Sequence, residues 1–286
     1  MSQVLGIIGG SGLYEIEGLE KVEHLRVETP YGDPSDAIVR GQIGDTTLLF
    51  LPRHGKGHRI PPSAINYRAN VCALKKLGAT QVLSVSAVGS MKEEIRPGDL
   101  VVVDQFIDLT KRRVSTFFDD GAVAHVSLAD PVCPNLAKAL AEAAETTGAR
   151  VHRGGTYVCI EGPQFSTRAE SLLYRSWGVS VIGMTNMPEA KLAREAELPY
   201  ATLALATDYD CWHEAEADVT AEAIVAVLKA NVAKAKATIR ALVSHLPDAS
   251  ESPARHTLRD ALITSASAIP SEKRAELSWL LPQLEG

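Results

Sequence analysis

Cysteine is scarce in this chain and is arranged in no metal-binding pattern. The four cysteines, Cys72, Cys133, Cys159 and Cys211, include no CxxC pair and no close spacing with histidine. That excludes the common structural zinc motifs and suits buried thiols in a reducing compartment. Long hydrophobic runs are absent as well: no window reaches the roughly 18 consecutive apolar residues of a spanning helix, so no membrane partner is expected. The opening MSQVLGIIGGSG has neither a charged n-region nor a long apolar stretch, so it does not read as a secretory signal, and a cytoplasmic location is expected. An excess of positive charge is also missing. With 29 Lys+Arg against 35 Asp+Glu, the net charge of -6 gives no global reason to expect nucleic acid, although a local pocket for a small anion stays open. No internal repeat or low-complexity tract stands out.

What is present is an ordinary globular composition, 45% hydrophobic and 22% charged over 286 residues, enough for a full-sized core. Apolar strand patterns occur at residues 3–8, 37–41, 46–51, 82–88, 99–103, 151–160, 179–183 and 200–206. Helical periods lie between them at 62–77, 135–147, 169–177, from Pro188 onward, and at 219–246. This alternation predicts one α/β domain over residues 1–246. Residues 247–286 form a tail that opens on a linker-like DASESPA and carries two weak helical patterns, at 258–266 and 272–281. Residues 106–134 show no sustained period, which marks a functional loop or a subunit contact.

Several of these strands deliver ligand-type residues at their carboxyl ends. Gly9, Gly10, Ser11 and Gly12 follow the first and read either as a phosphate-cradling turn or as a plain tight turn. They do not complete a G-x-G-x-x-G dinucleotide fingerprint. Arg53, His54, Lys56 and His58 lie among small glycines after another strand, as an anion site or a solvated basic loop. Ser86, Ala87, Val88, Gly89 and Ser90 end a third. Phe165 and Ser166 lie in the polar loop 161–168, where the aromatic ring is either core or a stacking surface. Met184, Thr185 and Asn186 follow a further strand. Last comes LALATDYDCW, in which the period of two places Asp208 and Asp210 on one face and Thr207 and Tyr209 on the other, structural, face. Two carboxylates at a strand end can hold a metal, share a proton, or read two donors on the edge of a planar ligand. A metal role is disfavoured because no complete ligand set is visible.

In order, the motifs IIGGSGLY (7–14), RHGKGH (53–58), SAVGS (86–90), EGPQFSTRAES (161–171), GMTNMPEA (183–190) and ATDYDCW (206–212) resemble those of the trimeric purine nucleoside phosphorylase family, and within it the S-methyl-5'-thioadenosine phosphorylases. The set covers most of residues 4–245. The resemblance implies an α/β domain with a mixed central sheet flanked by helices, assembled as a homotrimer. It implies phosphorolysis of S-methyl-5'-thioadenosine in purine and methionine salvage, with inorganic phosphate as co-substrate and no cofactor or metal. By motif position, Ser11, Arg53, His54, Ser86, Ala87 and Thr185 surround phosphate. Met184 lies against the ribose, while Phe165 and Ser166 border the base. His58, Ala221 and Ile224 lie near the 5' end, and His125 reaches a neighbouring subunit's site. Some relatives have Thr where this chain has Ser11, and Val where it has Ala221; the latter change loosens the expected 5' pocket.

Under this resemblance the aspartates face the purine N7 and 6-amino edge. Burial and mutual repulsion favour a raised pKa in one member of the pair, and Asp208 is the expected leaving-group acid. A 6-amino group suits a carboxylate, whereas a 6-oxo group leaves it unmatched, so adenine nucleosides are expected over inosine and guanosine. Adenosine or a 6-oxopurine nucleoside as substrate, and a non-catalytic nucleoside-binding sensor, are the alternatives.

Overall fold

The computed structural model of the chain describes residues 3–10, 12–213 and 221–282, with the backbone alone at 221–226 and 228. In chain order the strands are β1 (Val4–Gly9), β2 (Glu20–Leu25), β3 (Ile38–Ile43), β4 (Thr46–Pro52), β5 (Gln81–Ser90), β6 (Leu100–Val103), β7 (Gln105–Asp108), β8 (Val151–Arg153), β9 (Thr156–Cys159), β10 (Val181–Gly183) and β11 (Tyr200–Asp208). The helices are α1 (Tyr67–Lys76), α2 (Pro134–Glu145), α3 (Arg168–Ser176), α4 (Asn186–Glu195), α5 (Ala221–Val243) and α6 (Ser271–Leu277).

The strands form one mixed sheet, ordered β2-β3-β4-β1-β5-β10-β9-β7, with β11 on β5, β6 on β11 and β8 on β6. The pairs β1/β5, β5/β11 and β9/β10 are parallel, whereas β5/β10 and β6/β11 are antiparallel. Side-chain alternation divides the strands between two cores. Leu5, Ile7, Leu83, Leu203 and Leu205 face one core with α2 and α5, while Ile8, Val82, Ala204 and Ala206 face the other with α1 and α4. Local signals set the helix starts: Asn66 accepts from the Ala69 amide ahead of α1, and Thr167 with Glu170 closes a capping box on α3.

β5 organises the sheet. β11 runs along one edge of it from Val82 to Gly89, while on the other edge β1 pairs only with Gln81–Ser84 and β10 only with Gly89 and Ser90. The sheet therefore forks along β5, and Val85–Val88 lie in the crotch of the fork.

Three sequence expectations are corrected. Residues 151–160 form two strands, not one, because Gly154 and Gly155 take positive φ values and turn the chain from β6 to β7 as pairing partner. The irregular segment 106–134 begins inside β7, whose short length hid it from periodicity. Residues 258–266 form turns, and Leu262 makes an antiparallel bridge to Ala124 instead of a helix.

The chain after residue 246 packs onto the rest. Leu258, Ile269, Leu277 and Leu280 are buried in the same core as Phe117. Trp279 meets the Phe117 ring edge-on at 5.0 Å, and buried Lys273 pairs with Asp119 and Glu276. Among the described residues no helix is long and apolar enough to cross a membrane.

Candidate active site

The fork in the sheet opens into a cavity of about 450 Å³. Of the residues expected from sequence, Arg53, His54, His58, Ser86, Ala87, Phe165, Ser166, Met184, Thr185, Asp208 and Asp210 all line it. Ser11 lies outside the described residues, as do the side chains of Ala221 and Ile224. His125 is exposed and does not line this cavity within the single chain; its amide donates to the Ala261 carbonyl at 2.8 Å.

The carboxylates sit at the end of β11, but a turn brings them together, not strand alternation. The β11/β5 register shifts between Ala206 and Asp208, and Asp210 takes φ +53 at the start of a 3₁₀ turn. Its amide donates to Asp208 Oδ1 at 2.8 Å, an aspartate-capped turn of a kind short polar side chains favour. The same shift brings Thr207 onto the cavity wall, where its hydroxyl donates to Asp208 Oδ2 at 2.6 Å. Thr207 is therefore part of the site, which corrects its assignment to a structural face. Tyr209 is buried against Trp212. Ser171, buried on α3, donates to Asp210 Oδ2. Gly89 allows this approach, since a Cβ there would lie 2.9 Å from Asp208 Oδ1. Burial, and then the Ser171 contact and the Asp208 charge acting in opposite senses, leave the Asp210 pKa raised above the usual carboxylate value.

The opposite end is rich in hydroxyls. Ser86 Oγ lies 3.1 Å from Thr185 Oγ1 and 3.3 Å from Tyr157 Oη, all three buried. Gly183 leaves room for that tyrosine, because a Cβ would sit 2.0 Å from its hydroxyl. Arg53 is 2% exposed. Its Nε and Nη2 donate to Glu189 at 3.1 Å each, Nη2 to Ser84 Oγ at 2.6 Å, and Nη1 to the Val85 carbonyl at 2.7 Å. Burial works against the guanidinium charge, but Glu189 more than compensates and holds its pKa above the usual value. Burial also lowers His54 to about 4, so its ring is neutral near pH 7. Its Nδ1 lies 2.8 Å from the Ile60 carbonyl, an acceptor only, which makes Nδ1 the protonated nitrogen. The loop is thus less cationic than its composition suggests.

Between the two ends lie apolar walls from Val88, named with the third strand's end, and from Val85, Ile182, Leu205 and Val232, which sequence reading did not place at the site. Such a wall has no signal distinct from core. Phe165 is 57% exposed at the mouth, and the Ser166 hydroxyl is buried without a hydrogen-bond partner among the described residues. The reading also missed Tyr157, Ser171 and Thr207; Ser171 stood inside the quoted EGPQFSTRAES.

Residues 4–244 match the family model of the phosphorylase superfamily. The S-methyl-5'-thioadenosine phosphorylase of Geobacter sulfurreducens is 58% identical over 98% of this chain and 99% of its own length. That of Thermosynechococcus vestitus is 52% identical over the same shares. Among solved structures, a methylthioadenosine phosphorylase from an Antarctic soil metagenomic library superposes with a TM-score of 0.93 at 51% identity, covering 99% of this chain and 100% of that one. A mutant adenosine/methylthioadenosine phosphorylase of Schistosoma mansoni in complex with methylthioadenosine gives a TM-score of 0.81 at 39% identity, covering 85% and 91%. With its fork-sited cavity and mixed sheet, the chain belongs to the phosphorylase superfamily, alongside the S-methyl-5'-thioadenosine phosphorylases.

Proposed function

We infer that this protein cleaves the N-glycosidic bond of S-methyl-5'-thioadenosine with inorganic phosphate, giving adenine and 5-methylthioribose 1-phosphate. One observation carries the reading from the geometry: a single cavity joins a carboxylate pair at one end to buried hydroxyls, Arg53 and His54 at the other. The full-length identity to S-methyl-5'-thioadenosine phosphorylases supports the choice of nucleoside.

In this reading Ser11, Arg53, His54, Ser86, Thr185 and the Ala87 backbone hold phosphate beneath C1'. Met184 lies against the ribose, and His58, Ala221 and Ile224 border the methylthio group. Phe165 covers the base, and the Ser166 hydroxyl, without a hydrogen-bond partner among the described residues, supplies a polar contact beside it. Cleavage of the C1'–N9 bond places positive charge on the sugar and electron density on the purine. The Asp208–Asp210 pair, in which burial raises the Asp210 carboxyl, gives one proton to N7, and a phosphate oxygen bonds to C1'. The proton carried by hydrogen phosphate restores the acid, so the reaction is balanced without a cofactor. Positioning and preorganised electrostatics supply the catalysis. The enzyme works in the cytoplasm as a homotrimer in which His125 completes a neighbour's site.

The test is base release from methylthioadenosine with and without phosphate. Phosphate-dependent adenine release is expected, with methylthioinosine turned over roughly 10⁴-fold less efficiently. Equal turnover of the two nucleosides would sink the carboxylate assignment, undiminished release without phosphate would make the protein a hydrolase, and binding without turnover would make it a sensor. Adenosine as an additional substrate is the second reading, favoured by the dual activity in the name of the Schistosoma mansoni relative.

A further inference from the structure

We propose that Arg113, which does not line the cavity, is the positioning residue that holds three of its walls in register. Its side chain is 1% exposed and lies under the site in the segment without periodicity. Nη1 donates to the carbonyls of Met184 at 2.7 Å and Met187 at 2.6 Å, and Tyr67 Oη lies 3.1 Å from it. Nη2 donates to the Glu161 carbonyl at 2.7 Å, and Nε lies 3.3 Å from Glu161 Oε1.

These acceptors belong to separate stretches of the site. Met184 and Met187 bracket Thr185, on the hydroxyl-rich side. Met187 has non-helical φ/ψ inside α4, so its carbonyl falls outside the regular helical ladder and takes its donor from Arg113. Glu161 begins the loop that carries Phe165 and Ser166. Ser63 follows Pro62, a cavity residue, and its hydroxyl donates to the Glu161 carbonyl at 3.0 Å and also contacts the Glu161 carboxylate. Glu161 in turn accepts the amides of Lys111 and Arg112, at 2.6 and 3.2 Å, which anchors the segment bearing Arg113. Burial works against the Glu161 charge, but Ser63, these two amides and Arg113 outweigh it and bring the carboxyl down to about 2.

A planar guanidinium has five fixed donors, so one group fixes the spacing of all these acceptors; an ammonium donates from a single point. Loss of the guanidinium lets the base loop, the Met184 turn and the Pro62 segment drift independently. Small misplacements of that kind cost about 10²-fold in rate.

This proposal rests on the phosphorylase reading, and the experiment separates the two. Wild type is assayed first; phosphate-dependent adenine release secures the activity. Arg113→Ala and the milder Ser63→Ala are then compared on protein shown folded by circular dichroism and thermal melting. Arg113→Ala is expected to raise KM for methylthioadenosine and for phosphate together, about 10-fold each, and to lower kcat/KM about 10²-fold. Millimolar guanidinium, but not ammonium, is expected to restore part of that loss. Ser63→Ala is expected to move both KM values the same way by a smaller factor. Vmax reduced only in proportion to the folded fraction, with both KM values unchanged, would overturn the role, as would unchanged KM values in Ser63→Ala if Arg113→Ala does not fold.

Discussion

Asp210 donates its backbone amide to the Asp208 carboxylate while sending its own carboxylate to Ser171, so neighbouring aspartates are fixed by unlike partners. The Asp208 side chain is held from its own turn, and that of Asp210 from α3. The turn that joins them needs Asp210 in the left-handed region, which aspartate tolerates better than most residues.

Replacement of Asp208 separates acid chemistry from shape. Asp208→Asn keeps the acceptor oxygen for one donor but removes the titratable carboxyl. A loss of about 10²–10⁴-fold in kcat is expected, with a smaller change in KM for the nucleoside. Steady-state kinetics check this, and a normal kcat would remove Asp208 as the acid.

Burial of His54 carries a pH signature in stability. Its folded pKa of about 4 lies below the usual 6.5, so the unfolded chain takes up this proton first as pH falls. The contribution is complete above 6.5 and is lost as pH drops towards 4. Thermal melting at pH 7 and pH 5 should therefore show a smaller drop for His54→Gln than for wild type. Equal drops would show that the ring titrates normally in the folded chain.

Arg53 and Glu189 form an ion pair whose side chains are 3% and 1% exposed. Removing one partner of such a pair strands the other charge, so Glu189→Ala should lower unfolding free energy by about 3–5 kcal/mol. Urea titration measures this. A change within experimental error would mean that Ser84, the Val85 carbonyl and the Ile8 carbonyl, 3.2 Å from Nη2, satisfy Arg53 alone.

Deletion of residues 247–286 should expose Phe117 and strip Asp119 of Lys273. The truncated chain is expected to melt lower and to bind a hydrophobic dye at temperatures where the full chain does not. Coincident melting curves would show that the tail contributes no stability.

Most of the sheet and the polar half of the site were legible because strands of this type announce themselves. Residues 3–8, 46–51, 82–88 and 200–206 are apolar runs that stop at glycine, hydroxyl or charge, and each stop proved to be close to the cavity or on it. What stayed hidden depends on distant contacts. β7 is four residues long, and its pairing with β9 gives it strand character. Thr207 joined the site through a register shift that alternation cannot foresee. Arg113 stands in a stretch with no period, and its acceptors are 46 to 74 residues away. The tail's turns likewise take their form from Ala124 and Phe117 rather than from their own weak pattern.

The fork along β5 sets how far apart the two ends of the cavity lie. Ser86, at the hydroxyl end, and Gly89, against Asp208, are three residues apart on one strand, a span of about 10 Å. Both chemical ends are thus measured off the same piece of backbone. Inserting or deleting one residue there would change the length by about 3.3 Å and reverse the facing of every side chain beyond it. The spacing between the hydroxyl end and the carboxylate pair is consequently locked, and under the proposed function new substrates are accommodated by altering the walls but not by stretching the frame.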